Sequence, residues 1–373
     1  MASAAPSRVL NLAVIGVGLV GSELLKQLAQ PSLASRFRLV FVSNSKHSVS
    51  SLTPKGSLDF SNWKQNLEGS TAPPALEDLP RILGEFVEGD AAKNPFAVVD
   101  NTSSESVALL YPKFLRAGIN VVTPNKKAFS SDLWLYDDIV ASSASTGAKF
   151  LHEATVGAGL PIVQTLKDLV ETGDQVKRIE GVFSGTLSYI FNEFSSPKGG
   201  SEFFSTVVRI AKEKGYTEPH PGDDLNGADV ARKLTILSRL IPSLRNSLHS
   251  GYKSVSTTSL VPEALRGSEV TGADFLQHLP DFDSHFHLLK EEAEKEGAVL
   301  RYVGVIDVAK GEIKAALEKY PKDHAFATSL GGSDNIIAFH TERYSPRPLI
   351  VQGAGAGAAV TAMGVLSDLL KLI

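Results

Sequence analysis

A short apolar run, Asn11 to Ile15, leads into Gly16-Val17-Gly18-Leu19-Val20-Gly21, and residues 22–29 then carry helical periodicity. Strand, G-x-G-x-x-G and helix, in that order, is what a dinucleotide-binding unit requires. Gly16 permits the tight turn, Gly18 lets backbone approach a pyrophosphate, and Gly21 lets the helix pack close to the strand. Val17, Leu19 and Val20 complete the loop, whose helix N-terminus faces the anion. A Gly-rich turn has other uses. Here its position at the head of an α/β pattern predicts a Rossmann domain that binds NAD or NADP.

The following segments fit that frame. Strands are predicted over Arg38–Val42, Ala97–Val99, Ile119–Val122 and Phe150–Ala154, and a helix over Tyr111–Ala117. In NAD-preferring folds an acidic residue ends the second strand and binds the ribose 2′-hydroxyl. Here that end reads Ser43-Asn44-Ser45-Lys46-His47, without a carboxylate. Lys46 and His47 suit a 2′-phosphate, which leans the reading toward NADP or toward both cofactors. Thr102 and Ser103, within Asp100 to Ser104, stand where the third strand's polar end lines a cofactor crevice. Lys126 and Lys127 follow the fourth strand, either facing the crevice or solvated. Thr155 to Pro161 after Glu153 reads either as a plain strand-to-helix turn or as backbone whose oxygens gather around a hard cation.

The densest chemistry lies in Gly215 to Lys233, GYTEPHPGDDLNGADVARK. Glu218, Asp223, Asp224 and Asp229 crowd a segment broken by Pro and Gly. A helix predicted over Ala228–Leu240 places Val230, Leu234, Leu237 and Leu240 on one stripe, with Lys233 directed into it. Asp229 is four residues earlier, within ion-pair reach. A lysine on an apolar seam is costly unless paired or used. Two readings remain open: a structural Asp–Lys tie, or an acid–base lysine held by an aspartate, with further carboxylates to receive a cationic substrate.

Composition narrows the field. The chain has 373 residues, 43% apolar and 21% charged, enough for two domains. A net charge of −4 without a basic run argues against nucleic acid and anionic membranes. No cysteine is present, which removes disulfides, thiolate metal sites and cysteine nucleophiles. MASAAPSRVL has no apolar core of a secretory signal, and no apolar run reaches the ~18 residues of a membrane span. A cytoplasmic location is expected. Residues 53–80, rich in Ser, Pro and Gly, read as a loose surface segment.

A second α/β domain begins with a strand over Lys177–Phe183, followed by Ser184-Gly185-Thr186, a short helix to Phe194 and another over 202–214. Strands over Val299–Val308, Glu312–Leu317, Asn335–Thr341 and Pro348–Val351 belong to one sheet. Alternating Asp and His at 281–287 match no zinc or calcium spacing and read as a solvated helix end. The closing Gly353-Ala354-Gly355-Ala356-Gly357 and its helix either return to the cofactor site or pack closely. The domain expectation is 1–155 for the dinucleotide, 156–350 for substrate and dimerisation, and 351–373 returning to the first.

Seven motifs together resemble the monofunctional, fungal-type homoserine dehydrogenases: GVGLVG at 16–21, DNTSS at 100–104, TPNKKAFS at 123–130, HEATVGAGLP at 152–161, EGVFSGTLSYIFNEF at 180–194, the 215–233 stretch, and VQGAGAGAAVTA at 351–362. The resemblance implies NAD(P)-dependent interconversion of L-homoserine and L-aspartate 4-semialdehyde, toward threonine and methionine, in a homodimer. It also implies roles. Lys233 looks like the proton donor and Asp229 its orienting partner. Glu218 and Asp229 contact homoserine, with Asp224 near its ammonium. Lys126 looks like a second lysine near nicotinamide and substrate, and Gly357 touches the cofactor. Glu153, Val156, Ala158 and Leu160 match positions that bind sodium or potassium, mostly through backbone oxygens. His220 departs from the family, which often has an acidic residue there. Fused relatives carry an aspartate kinase or a regulatory domain, for which 373 residues leave no room, so feedback through such a domain is not expected. Aspartate-semialdehyde dehydrogenase needs a thioester-forming cysteine that this sequence lacks. Another amino-acid oxidoreductase, or a non-catalytic NADP sensor, remain the alternatives.

Overall fold

The structure, a computed structural model, describes residues 9–53, 55–90, 93–200 and 202–373. The signal-peptide reading of residues 1–8 lies outside them. The described chain forms two compact units. One comprises the residues up to Gly159 together with Gly357–Ile373, the other Leu160–Ala356.

The first unit is built on six strands: β1 (Leu10–Ile15), β2 (Phe37–Ser43), β3 (Ser48–Ser50), β4 (Phe96–Asp100), β5 (Asn120–Val122) and β6 (Phe150–Leu151). Their order is β3-β2-β1-β4-β5-β6, parallel except for the β2–β3 pair. Every residue of β1 and β4 is buried. That is why these strands read as continuous apolar runs rather than alternating ones: helices cover both faces of a parallel sheet. Each fully buried Leu or Val of β1 contributes roughly 1.5–3 kcal/mol to the core.

The helix Leu19–Leu28 and the closing helix Ala358–Leu370 join this core through Leu24, Leu25, Leu28, Ala362, Val365 and Leu369. Gln27 Nε2 also donates to the Ala359 carbonyl at 2.9 Å. The closing helix also lies close to the 154–159 turn, where side chains are missing. A Cβ on Gly159 would lie 2.5 Å from Val360 O, and one on Gly364 would lie 2.8 Å from Ala158 O.

Two expectations change here. The strand predicted over Phe150–Ala154 stops at Leu151, and Glu153–Thr155 turns into a 3-10 helix. The Glu153 N–H is taken by Asp368 Oδ2 at 2.8 Å, so it is not available to a ladder. The 53–80 segment is not merely loose, although Pro54 lies outside the described residues. It carries a helix, Trp63–Glu68, with Phe60 and Leu67 packed into the first core.

The second unit holds β7 (Val176–Val182), β8 (Ser256–Thr257), β9 (Ala298–Asp307), β10 (Glu312–Pro321), β11 (Asp334–Thr341) and β12 (Leu349–Ala354). Their order is β12-β11-β7-β9-β10-β8, antiparallel except for β10–β8. The helix predicted as a one-stripe element runs over Ala228–Ser238, with eight of its eleven residues buried. It lies hard against β9, where a Cβ on Gly304 would come within 2.8 Å of Leu234 Cδ2. Its buried hydroxyls answer their own backbone: Thr235 donates to Ala231 O and Ser238 to Leu234 O. Among the described residues, no helix is long and apolar enough to cross a membrane.

Candidate functional site

In the first unit, the turn after β1 is a cradle of backbone. Gly16 has φ +87° and a Cβ there would sit 2.6 Å from Thr102 Cγ2; a Cβ on Gly21 would sit 2.1 Å from Gly16 O. A Cβ on Gly18 would meet nothing within 4 Å. The outer glycines therefore serve packing, and the middle one leaves open space at a helix start that has no acidic residue in its first turn. The Asn101 side chain has both amide atoms buried without a partner, and its Nδ2 is 3.3 Å from the position of a Gly21 Cβ. Open backbone, an uncompensated helix N-terminus and an unanswered amide fit a dinucleotide phosphate.

Below the crevice a polar network joins the ends of β4 and β5. Asp100 is fully buried and accepts from Thr102 N, Thr102 Oγ1, Tyr111 Oη and Asn125 Nδ2 at 2.8, 2.6, 2.6 and 3.0 Å. Burial pushes its carboxyl above the ordinary range, and these bonds oppose the shift. Burial and the Asp100 charge push the Tyr111 phenol well up. Asn125 Nδ2 also donates to Ser104 O at 2.9 Å, and its Oδ1 accepts from Lys127 N. The network thus positions Thr102, the exposed Ser103, and Lys126 at the start of the Lys127–Ser130 turn. After β2, Asn44 Oδ1 accepts from the N–H groups of Lys46 and His47, both at 2.8 Å. That bend leaves the Lys46 side chain exposed.

In the second unit, the acid–base cluster is assembled by a helix start. Gly227 has φ +78°, and a Cβ there would be 2.0 Å from Tyr302 Oη, so the chain reverses closely at this point. Asn226 Oδ1 accepts from Ala228 N, and the helix begins. Asp229 lies in its first turn, where the helix dipole favours a carboxylate. Its carboxylate meets Lys233 Nζ at 2.7 Å; the lysine side chain is 9% exposed and the aspartate's 44%. Lys233 Nζ also donates to Phe183 O at 2.6 Å. Asp224 Oδ2 accepts from Glu218 N at 2.8 Å. Burial, together with the charges of Glu218 and Asp229, pushes the Asp224 carboxyl up to about 6 against hydrogen bonds from Glu218 N and Thr186. Glu218 is exposed at the rim. An ammonium held by two partners beside three carboxylates is equipped to pass a proton and to receive a cation.

Two family models match the chain: one described as homoserine dehydrogenase over residues 161–370, the other as the homoserine dehydrogenase NAD binding domain over residues 16–153. The homoserine dehydrogenase of Schizosaccharomyces pombe is 48% identical over 372 residues, covering 97% of this chain and 95% of its own. The chain belongs to the homoserine dehydrogenase family. The Emericella nidulans homoserine dehydrogenase is 49% identical, with coverage of 97% and 98%. A solved structure of a protein of unknown function from Candida auris superposes with a TM-score of 0.89, at 46% identity and 98% coverage of both chains.

Most of the residues singled out in the homoserine dehydrogenase motifs form two groups, one in each unit. Gly16 to Gly21, Thr102, Ser103 and Lys126 gather at the carboxyl edge of the first sheet, and Glu218, Asp224, Asp229 and Lys233 gather in the second unit. Gly357, with φ +121°, precedes the closing helix. Glu153, Val156 and Ala158 lie in one turn of the first unit, where Gly157 and Ala158 both have positive φ, and Leu160 opens the second unit. Glu153 is 5% exposed, and Lys371 Nζ stands 3.9 Å from it and 2.8 Å from buried Asp368. Lys371 thus sets one ammonium against two buried carboxylates. Among the described residues no cluster of three or more His, Asp or Glu can hold a metal, and that includes 281–287.

His220 has a structural explanation. Its Nδ1 accepts from Gly222 N at 3.0 Å while Nε2 reaches Val270 O at 3.1 Å, so the ring ties the 219–222 bend to the segment before Phe275. Sequence reasoning missed Asp100, Tyr111 and Asn125 as a network, and the Phe183 carbonyl as the second partner of Lys233. DNTSS and TPNKK marked the first at strand ends. No side-chain signal marks a backbone oxygen.

Proposed function

We propose that the protein interconverts L-homoserine and L-aspartate 4-semialdehyde, with Lys233 as the proton donor. The observation that carries the proposal is the buried lysine, 2.7 Å from Asp229 and 2.6 Å from Phe183 O, beside Asp224 and Glu218. NAD or NADP, when bound at the Gly16–Gly21 cradle, supplies or takes the hydride. The chain's own residues do the rest. Lys233 gives a proton to the aldehyde oxygen in reduction, takes it back in oxidation, and stabilises the growing alkoxide electrostatically. Asp229 keeps the ammonium aimed. Asp224 and Glu218, in ionised form, receive the substrate's α-ammonium and fix the orientation of the reacting carbon. Lys126 is proposed as a second cation for the nicotinamide and substrate region.

Lys46, at a strand end without a carboxylate, supports use of NADP alongside NAD. The Glu153–Ala158 turn supports a sodium or potassium ion held by Glu153 and by the backbone oxygens of Val156, Ala158 and Leu160. A homodimer is supported by the sheet face bearing Ile350, Glu180 and Lys314, which the 325–330 segment covers only in part. We place the enzyme in the cytoplasm, which cell fractionation tests, and in amino-acid biosynthesis toward threonine and methionine.

Nicotinamide absorbance with L-homoserine as sole substrate tests the activity, with NAD and NADP in parallel and with or without potassium or sodium. Homoserine-dependent growth of reduced cofactor is expected. No change with either cofactor, from protein shown to be folded, overturns the proposal. Light scattering reads the dimer.

A further inference from the structure

The Phe183 carbonyl that holds Lys233 has a second donor. Asn335, near the start of β11 and fully buried, donates through Nδ2 to the same oxygen at 3.0 Å. A carbonyl oxygen has two lone pairs. One goes to the Asn335 amide and the other to Lys233 Nζ at 2.6 Å, so the asparagine sets the direction from which the lysine is held. The other end of the same amide is unanswered: Asn335 Oδ1 is buried without a hydrogen-bond partner. A residue present only for packing would not leave a buried acceptor empty, since an apolar side chain of similar shape avoids that cost.

The space for this amide comes from Gly355. A Cβ on Gly355 would lie 2.0 Å from Asn335 Cγ, 2.1 Å from Nδ2 and 2.4 Å from Oδ1. Any side chain at 355 displaces the amide. The middle glycine of Gly353 to Gly357, whose purpose the sequence left open, therefore has a specific task.

We propose that Asn335 is a positioning residue for Lys233, acting through the Phe183 carbonyl, and that Gly355 is required because it lets the Asn335 amide lie in place. The proposal deepens the role given to Lys233 and rests on it.

The test is a set of variants in the homoserine assay. Asn335→Leu removes the donor and also the unanswered oxygen. It is expected to lower kcat about tenfold with KM for homoserine changed less than twofold and Tm not reduced. Asn335→Ala is expected to lose kcat similarly. Gly355→Ala is expected to lower kcat alone, but to add nothing in the Asn335→Ala background, where the space is free. In the Lys233→Ala background, Asn335→Leu is expected to have no further effect on kcat.

Unchanged kcat in folded Asn335→Leu overturns the proposal. So does a kcat loss of the same size with and without Lys233, or a loss matched by falling Tm and rising KM, which marks a structural residue. If Lys233→Ala itself keeps normal kcat, the assignment of the proton donor has failed instead, and that result is read separately.

Discussion

The cofactor cradle and the acid–base cluster are built in opposite ways. The cradle is made by removing side chains: Gly16 and Gly21 have no room for a Cβ, and Gly18 leaves open space. The cluster is made by adding charged side chains to a place that resists them: Lys233 is 7% exposed in a helix buried on nearly every side. A site of bare backbone tolerates little steric change and depends weakly on pH. A site of buried charges tolerates little chemical change and has a protonation state to lose.

The sharpest break of that comparison is Lys233→Ala. It should lower kcat by ~10²-fold or more, the size of a lost general acid, while leaving the dinucleotide Kd near the parent value. Stopped-flow or steady-state turnover together with NADPH fluorescence titration checks both. Equal damage to turnover and cofactor affinity would undo the division of labour. Gly21→Ala is the counterpart in the cradle. Its methyl would fall 2.1 Å from Gly16 O, and about 1–3 kcal/mol of stability should be lost to overpacking, read by thermal or urea unfolding.

The Asp224 carboxyl, pushed up to about 6, separates the sites by pH. Below that value it is protonated and no longer attracts an ammonium, so KM for homoserine should rise as pH falls through 6. Asp224→Asn should have the high KM at all pH values. The sign for stability follows from the same shift. The folded state binds this proton more tightly than the unfolded chain, so the stability this group contributes is lost as pH rises from about 4 to 6. Lys46→Ala should lower the NADP-to-NAD preference by roughly fivefold or less, as an exposed charge contributes little. Parallel kcat/KM measurements with the two cofactors check this. The smallest effect is on the stability of Gly18→Ala, which should stay within about 0.5 kcal/mol of the parent in urea unfolding, with dinucleotide affinity reduced.

The longer strands were legible because burial is written in the apolar runs of β1, β2 and β4, whereas β3 and β8, three and two residues long, were not predicted. The glycine cradle was legible because turn, close approach and helix packing each need glycine at a fixed spacing. Residue 153 shows the limit. Phe150–Ala154 has strand composition, yet Asp368, 215 residues away, takes the Glu153 N–H and ends the strand early. Helix 228–238 shows another. Its sequence contains one clear stripe, but it is buried on nearly all sides because Gly304 admits it close to β9.

By itself, the sequence determined the residue types that can do the chemistry, their local spacing, and the Asp229–Lys233 pair, since an interval of four in a helix brings two side chains together regardless of what surrounds it. The tertiary structure alone decided that Lys233 is buried, that its second partner is the carbonyl of Phe183, fifty residues away, and that Asn335 and Gly355 shape that contact. Those partners are a backbone oxygen, an amide and an absent side chain. None has a sequence pattern, because what each one does depends only on which distant atoms the fold brings within reach.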